Sequence, residues 1–268
     1  MRDSRTIKLE VAEHVAWLTL NRPERRNAMG MAFFNELTER FRRLDDDPVV
    51  RAIVIHAQGE SFSVGLDLAE AGKMLGGQGA DDRERLRKTI HQLQESNNAI
   101  ERCRKPVIAA VHGHCLGAGV DLLSACDIRL ACAETVFSIR ETRMAIIADL
   151  GTLQRLPHII GHGWFRELAL TGRDFTATEA LSMGFVTRVC DSREATVQAA
   201  GQLAEAIAGL APMTVQGVKE VINYSRDNGV YPGLDYVAQK NAAVLVSEDL
   251  KEAVSAFMQR RDPTFTGK

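Results

Sequence analysis

The chain has 268 residues, enough for one large domain or two small ones around a substantial core. Hydrophobic residues make up 45% and charged residues 25%, the balance of a soluble globular protein rather than a disordered or membrane-embedded one. A formal net charge of −2 gives no general attraction for nucleic acid or an anionic membrane, so a bound anion must meet a local basic group.

The first predicted element is a strand, Val15–Leu20 (VAWLTL), ended by the turn signal Asn21-Arg22-Pro23. Residues 31–44 then carry Phe33 or Phe34, Leu37, Phe41 and Leu44 at helical spacing, and Asp45-Asp46-Asp47-Pro48 stops them. Residues 49–57 (VVRAIVIHA) form a β-branched run expected to be a buried strand. A loop over 59–67 and a short helix over 66–73 follow, and the Gly- and Asp-rich 76–82 predicts a mobile surface loop. From 83 to 104, Leu86, Ile90, Leu93 and Ile100 share one helical face. A third buried strand is expected over 106–111 and a helix over 116–125, opened by Gly117 and Gly119. Short strands follow over 128–131 and 135–139. Thr176-Ala177-Thr178-Glu179 is a capping box before a helix over 177–183, with Gly184 as its stop. Beyond Ala195 the pattern is helical through Phe257. Strands alternating with helices and then a helical third define the α/β class.

No run approaches a transmembrane length; the most apolar stretch, 106–123, is broken by His and Gly. The N-terminus carries no apolar signal core and Thr266-Gly267-Lys268 is not a peroxisomal address, so a cytoplasmic location is expected. Five cysteines without a CxxC pair read as reduced thiols. His112 and His114 have no acidic or Cys cluster at zinc spacing, so neither a metal nor another cofactor is expected.

Two glycine-bearing junctions, Ser61-Phe-Ser-Val-Gly65-Leu66-Asp67-Leu68 and His112-Gly-His-Cys-Leu-Gly117-Ala118-Gly119-Val-Asp121, stand where the first N–H groups of a helix have no intrahelical partner. Such groups can face a bound oxygen, although glycines at turns are usually only turns. Three acids lie in this region. Asp121 could simply complement a helix dipole, and Glu141, between Arg140 and Arg143, could be an ion-paired loop acid. Asp149 sits between Ala145-Ile-Ile-Ala148 and Leu150, where an acid must be paired or functional.

The segments GESFSVGLDL and AAVHGHCLGAGVDLLSACDIRLA resemble the two signature segments of the crotonase (enoyl-CoA hydratase/isomerase) superfamily. NRPERRNAM, GTLQRLPHIIG and LTGRDFTATEALSMGFVTRV fit as well, so the resemblance runs in detail from 11 to 189. It implies a spiral of ββα units over residues 1–195 with the active site. A helical region over 196–268 would build a homotrimer or a dimer of trimers. It also implies an acyl-CoA substrate, with an enolate held by the backbone N–H groups of Leu66 and Ala118. Family members often carry Gly at the position of Ala118. Arg25, Arg26 and Ala28 would meet the coenzyme A nucleotide. Val64, Gly65, Asp67, Leu68 and Gly119 would line the substrate site.

Hydratases of the family present two glutamates, at the positions of Asp121 and Glu141, and commonly Gly where Asp149 stands. The trio Asp121, Glu141 and Asp149 instead resembles that of the dienoyl-CoA isomerases, as do VHGHCLGAGVDLLSACDIR and AIIADLGTLQRLP. That resemblance implies Glu141 acting at C2, Asp149 at C6, and Asp121 orienting or tuning the pair. Ile146, Ile147 and Leu150 are expected to raise the pKa of Asp149. Two alternatives stay open: a 2-enoyl-CoA hydratase using Asp121 and Glu141, and a non-catalytic acyl-CoA-binding or RNA-binding member of the fold.

Overall fold

The computed structural model describes residues 6–74 and 79–268. A main sheet of six strands has the order β1-β2-β3-β4-β6-β9, comprising β1 (Ile7–Ala12), β2 (Val15–Leu20), β3 (Ala52–Ala57), β4 (Val107–Val111), β6 (Ile128–Cys132) and β9 (Arg188–Cys190). All neighbours pair in parallel except β1, which forms a hairpin with β2 through Glu13 and His14, both at positive φ. A second sheet joins β5 (His114–Leu116), β7 (Val136–Ser138) and β8 (Asp174–Thr176).

Apart from His56, β3 and β4 are apolar because both faces of the sheet are covered. One face packs against α1 (Met31–Asp46), α3 (Ala80–Arg102) and α4 (Ala118–Ala125), through Phe34, Leu37, Phe41, Ile100 and Leu123. The other face lies under α8 (Arg193–Ala208). Ala199, Ala200, Ala204 and Ala208 present a flat stripe there to Val15, Val54, Ile108 and Leu130. The chain also contains α2 (Leu68–Met74), α5 (Thr152–Arg155), α6 (Pro157–Thr171) and α7 (Ala177–Ser182). The chain closes with α9 (Pro212–Asn228), α10 (Val230–Val244) and α11 (Glu248–Gln259). The buried Lys219 anchors α9, donating to the Asp127 carboxylate at 2.7 Å and to the Lys105 carbonyl at 3.1 Å. Among the described residues no helix is long and apolar enough to cross a membrane.

Several expectations need correction. The division at Ala195 cuts α8, and α8 packs on the sheet, so the helical region separate from the core begins at α9. Part of the loop expected over 76–82 lies outside the described residues. The rest is not loop: Ala80, Asp81 and Asp82 open α3, where their acids complement the helix dipole and Asp82 accepts the Gly79 N–H at 3.1 Å. The strand expected from Val49 starts at Ala52, because Asp47 draws the Val49 N–H into a turn at 2.9 Å. The helix expected from Leu116 starts at Ala118, since 114–116 pair with β7. The capping box forms as expected, the Thr176 hydroxyl accepting the Glu179 N–H while Glu179 accepts that of Thr176.

Candidate active site

The first junction is bolted to the turn after β2. Residues 23–25 form one 3₁₀ turn, after which Arg26 and Asn27 both take positive φ. That kink buries the Asn27 side chain, which donates to the carbonyls of Gln58 and Ser61 at 2.8 and 2.9 Å and accepts the Arg22 N–H. The Ser63 hydroxyl closes the loop, donating to the Asn27 carbonyl at 2.8 Å and accepting the Gly65 N–H at 3.1 Å. Met29 and Asp67 complete it: the Met29 N–H meets the Gly65 carbonyl, and the Asp67 N–H meets the Met29 carbonyl. Leu66, between these bonds, has an N–H with no partner among the described residues.

The second junction lies against the first. Gly65, at φ +87°, brings its Cα so close that a Cβ there would stand 2.7 Å from the Leu116 carbonyl oxygen and 3.3 Å from the Ala118 nitrogen. Gly117, at φ +52°, turns the chain into α4. The carbonyl of Gly117 takes the N–H groups of Val120 and Asp121, and the Ala118 N–H has no partner among the described residues. Two free amides from two chain segments therefore face one cavity of about 680 Å³.

Three acids share that cavity. Asp121, only 1% exposed, does more than complement α4: its carboxylate accepts the Thr152 N–H at 2.7 Å. Burial pushes its pKa up to about 6, aided by the charge of Asp149 and opposed by Thr152 and Arg155. Glu141 starts a 3₁₀ turn (Glu141–Met144), and its Oε1 lies over Gly117, 3.3 Å from where a Cβ would stand. It is not an ion-paired loop acid. Arg140 turns instead to Asp174, at 2.7 Å, and the buried Glu141 Oε2 has no hydrogen-bond partner among the described residues. Burial first, then Asp121 and Asp149, push Glu141 up to about 7. Asp149 is raised as well, by burial. Its apolar cover differs from expectation: Leu150 is buried and Ile146 lies at the cavity, but Ile147 is 77% exposed and contributes nothing.

Of the expected substrate residues, Arg25, Arg26, Ala28, Val64, Gly65, Asp67 and Leu68 line the cavity together with Leu66 and Ala118. Neither Arg25 nor Arg26 has a side-chain partner among the described residues; both guanidiniums stand exposed at the cavity edge. Gly119 is the exception. It faces inward, where a Cβ would meet the Cys115 sulfur at 3.1 Å and Ser63 Cβ at 3.4 Å, so its small size seats α4 on the loop rather than contacting a ligand. Sequence reasoning missed Glu24, His114, Arg140 and Met144, which also line the wall. His112, by contrast, is buried and donates through Nε2 to the Gly59 carbonyl at 2.9 Å.

A parallel-sheet core thus brings two free amides and three acids of raised pKa to one cavity, a set of groups suited to acid–base chemistry. The chain belongs to the enoyl-CoA hydratase/isomerase family, whose model matches residues 10–268. It is 44% identical to a protein of Arabidopsis thaliana, the peroxisomal Δ3,5-Δ2,4-dienoyl-CoA isomerase, covering 97% of this chain and 95% of that one. It is likewise 44% identical to the mitochondrial Δ3,5-Δ2,4-dienoyl-CoA isomerase of Mus musculus, covering 93% of this chain and 78% of the relative. In three dimensions it is similar to the crystal structure of enoyl-CoA hydratase from Bacillus anthracis, with a TM-score of 0.91, 31% identity, and 98% and 100% of the two chains covered.

Proposed function

We propose that the chain converts a 3,5-dienoyl-CoA into the conjugated 2,4-dienoyl-CoA, as part of fatty-acid β-oxidation. The observation that carries this reading is a third acid, Asp149, in the same cavity as Asp121 and Glu141. Glu141, beside Gly117, removes the C2 proton next to the thioester carbonyl. The C2–H electron pair enters a trienolate delocalised from the thioester oxygen to C6, and the amides of Leu66 and Ala118 take up its charge. Asp149 delivers a proton to C6, the 3,5 double bonds become 2,4, and the two carboxyls then re-exchange their proton. C2 and C6 stand four bonds apart, which one carboxylate cannot serve. Asp121 tunes the pair: its carboxylate already holds the Thr152 N–H, which disfavours the water-holding role that hydration needs.

Arg25 and Arg26 meet the phosphates of coenzyme A, Ala28 lies beside the nucleotide, and no cofactor is required. The apolar side chains left bare on the C-terminal helices, Tyr231, Phe257 and Met258, and that of Val246 between α10 and α11, support assembly as a homotrimer or a dimer of trimers. A cytoplasmic location is part of this proposal, although the relatives above are named peroxisomal and mitochondrial.

The test is parallel turnover of 2-enoyl, 3-enoyl and 3,5-dienoyl thioesters. A conjugated-diene absorbance should rise from the 3,5-dienoyl thioester with no oxygen incorporated from water. Faster loss of the 2-enoyl absorbance through hydration would overturn the assignment.

The pH dependence follows from Glu141, which must be ionised to accept the C2 proton. With its carboxyl held at about 7 instead of 4.5, kcat/KM should climb with pH toward neutrality and then fall where Asp149, itself raised by burial, loses the proton that it must donate. The same shift means that the folded chain binds this proton more tightly than the unfolded one. Stability should therefore fall as pH rises from about 4.5 toward 7, and Glu141→Gln should flatten that fall in urea titrations. A kcat/KM that never falls on the alkaline side would contradict the pairing of Glu141 as base with Asp149 as acid.

A further inference from the structure

One face of α3 carries Gln94, Asn97, Asn98 and Glu101, spaced i, i+3, i+4 and i+7, and all four grip the segment that bears Asp149. Gln94 donates to the Asp149 carbonyl at 2.7 Å and Asn97 to the Leu150 carbonyl at 3.0 Å. The other two act through Arg155, whose Nη2 donates to Asn98 Oδ1 at 2.7 Å and to Glu101 Oε2 at 2.9 Å. The Arg155 guanidinium lies across the turn itself: a Cβ on Gly151 would stand 1.9 Å from its Nη1. The next residue, Thr152, gives its N–H to Asp121. The second oxygen of Glu101 is taken by Arg226 of α9 at 2.5 Å, so Glu101 is held from both sides.

We infer that Arg155 is a positioning residue of this site, pinned by Asn98 and Glu101 so that the 149–152 turn sets the placement of Asp149 relative to Asp121. The inference rests on the proposed reaction. Arg155 does not line the catalytic cavity, and its charge reaches Asp121 through the turn. Asp121 faces Asp149 and Glu141 from the cavity side and Arg155 from behind. Arg155 in turn faces Glu101 on α3, His158 on α6, and Arg226 and Asp227 on α9.

Arg155→Met removes both the pin and the positive charge. It is expected to lower kcat by about 10- to 100-fold, because displacements of an ångström around reacting atoms cost that much, and to leave KM nearly unchanged. Losing the cation behind Asp121 should also raise the pKa of that carboxyl and displace the acid limb of the pH profile. Arg155→Lys restores the charge without the two-pronged grip, so the limb should return while kcat recovers only in part. Glu101→Gln keeps the Arg155 charge and loosens the pin, so kcat should drop with the limb unmoved. All rates are taken per folded molecule, with melting curves in parallel. An Arg155→Met chain that melts earlier but keeps the parent's kcat and limb makes the role merely structural and overturns the inference. The same profiles can be read on whichever thioester the parent turns over. Failure of the diene reaction in the parent would thus be distinct from failure of the Arg155 inference.

Discussion

Replacing Asp149 by Asn is expected to cost about 10²- to 10⁴-fold in the rate of conjugated-diene formation, the usual weight of one positioned proton donor. The variant should keep its fold, because Gln94 holds the Asp149 carbonyl and Asn97 that of Leu150, and neither bond uses the carboxyl. It should also keep half of the reaction. Glu141 and the two amides remain, so the C2 proton should still exchange with deuterium from solvent while C6 stays unlabelled. Mass and NMR analysis of recovered thioester separates the two positions. An unchanged rate of diene formation would remove Asp149 from the reaction.

Gly65→Ala should strike the other half of the chemistry. The new methyl would press on the Leu116 carbonyl at 2.7 Å and stand 3.3 Å from the Ala118 nitrogen, at a φ of +87° that an alanine resists. The loop must back away from α4, and the Leu66 and Ala118 amides no longer converge. Loss of one oxyanion donor lowers kcat by about 10²- to 10³-fold, and this substitution displaces two. Gly161→Ala is the control. Its φ of +73° imposes comparable backbone strain, but no atom lies within 4 Å of the added methyl and it does not line the cavity. It should cost about 1–2 kcal/mol of stability and leave turnover near the parent's. Equal losses of activity in the two variants would assign the Gly65 effect to strain alone.

The strands and helices that bury a continuous apolar pattern were legible in the sequence. Residues 52–57 and 107–111 announce themselves as β-branched or apolar runs, and Leu37, Phe41 and Leu44 mark the inner face of α1. β1 escaped because five of its six residues are exposed or half-exposed. β5, β8 and β9 have three residues each, too few to display a period. The α5–α6 stretch hides behind Pro157 and Gly161, the latter at a non-helical φ inside the element. At the site, the two glycine junctions pointed to the amides, and the apolar setting of Asp149 marked it out. What could not be read was the support behind the acids. Gln94, Asn97, Asn98 and Glu101 have the composition of a solvated helix face, and only the fold brings the 149–155 segment against them. The pairing of Arg140 with Asp174 likewise joins residues 34 apart, which left Glu141 looking salt-bridged when it is not.

The Asn27 side chain, which ties the turn at 22–28 to the loop at 58–65, has a thermodynamic consequence. Under the proposed function, the nucleotide end of the substrate docks on Arg25 and Arg26, while the thioester docks on the amide of Leu66. Because one buried amide side chain joins these two stretches, a force on the first is felt by the second. Binding energy gained far from the reacting carbons can therefore serve to hold the oxyanion amides in register, and so appear in kcat rather than only in affinity. The nucleotide handle would then work as a lever on the chemical step and not merely as a tether.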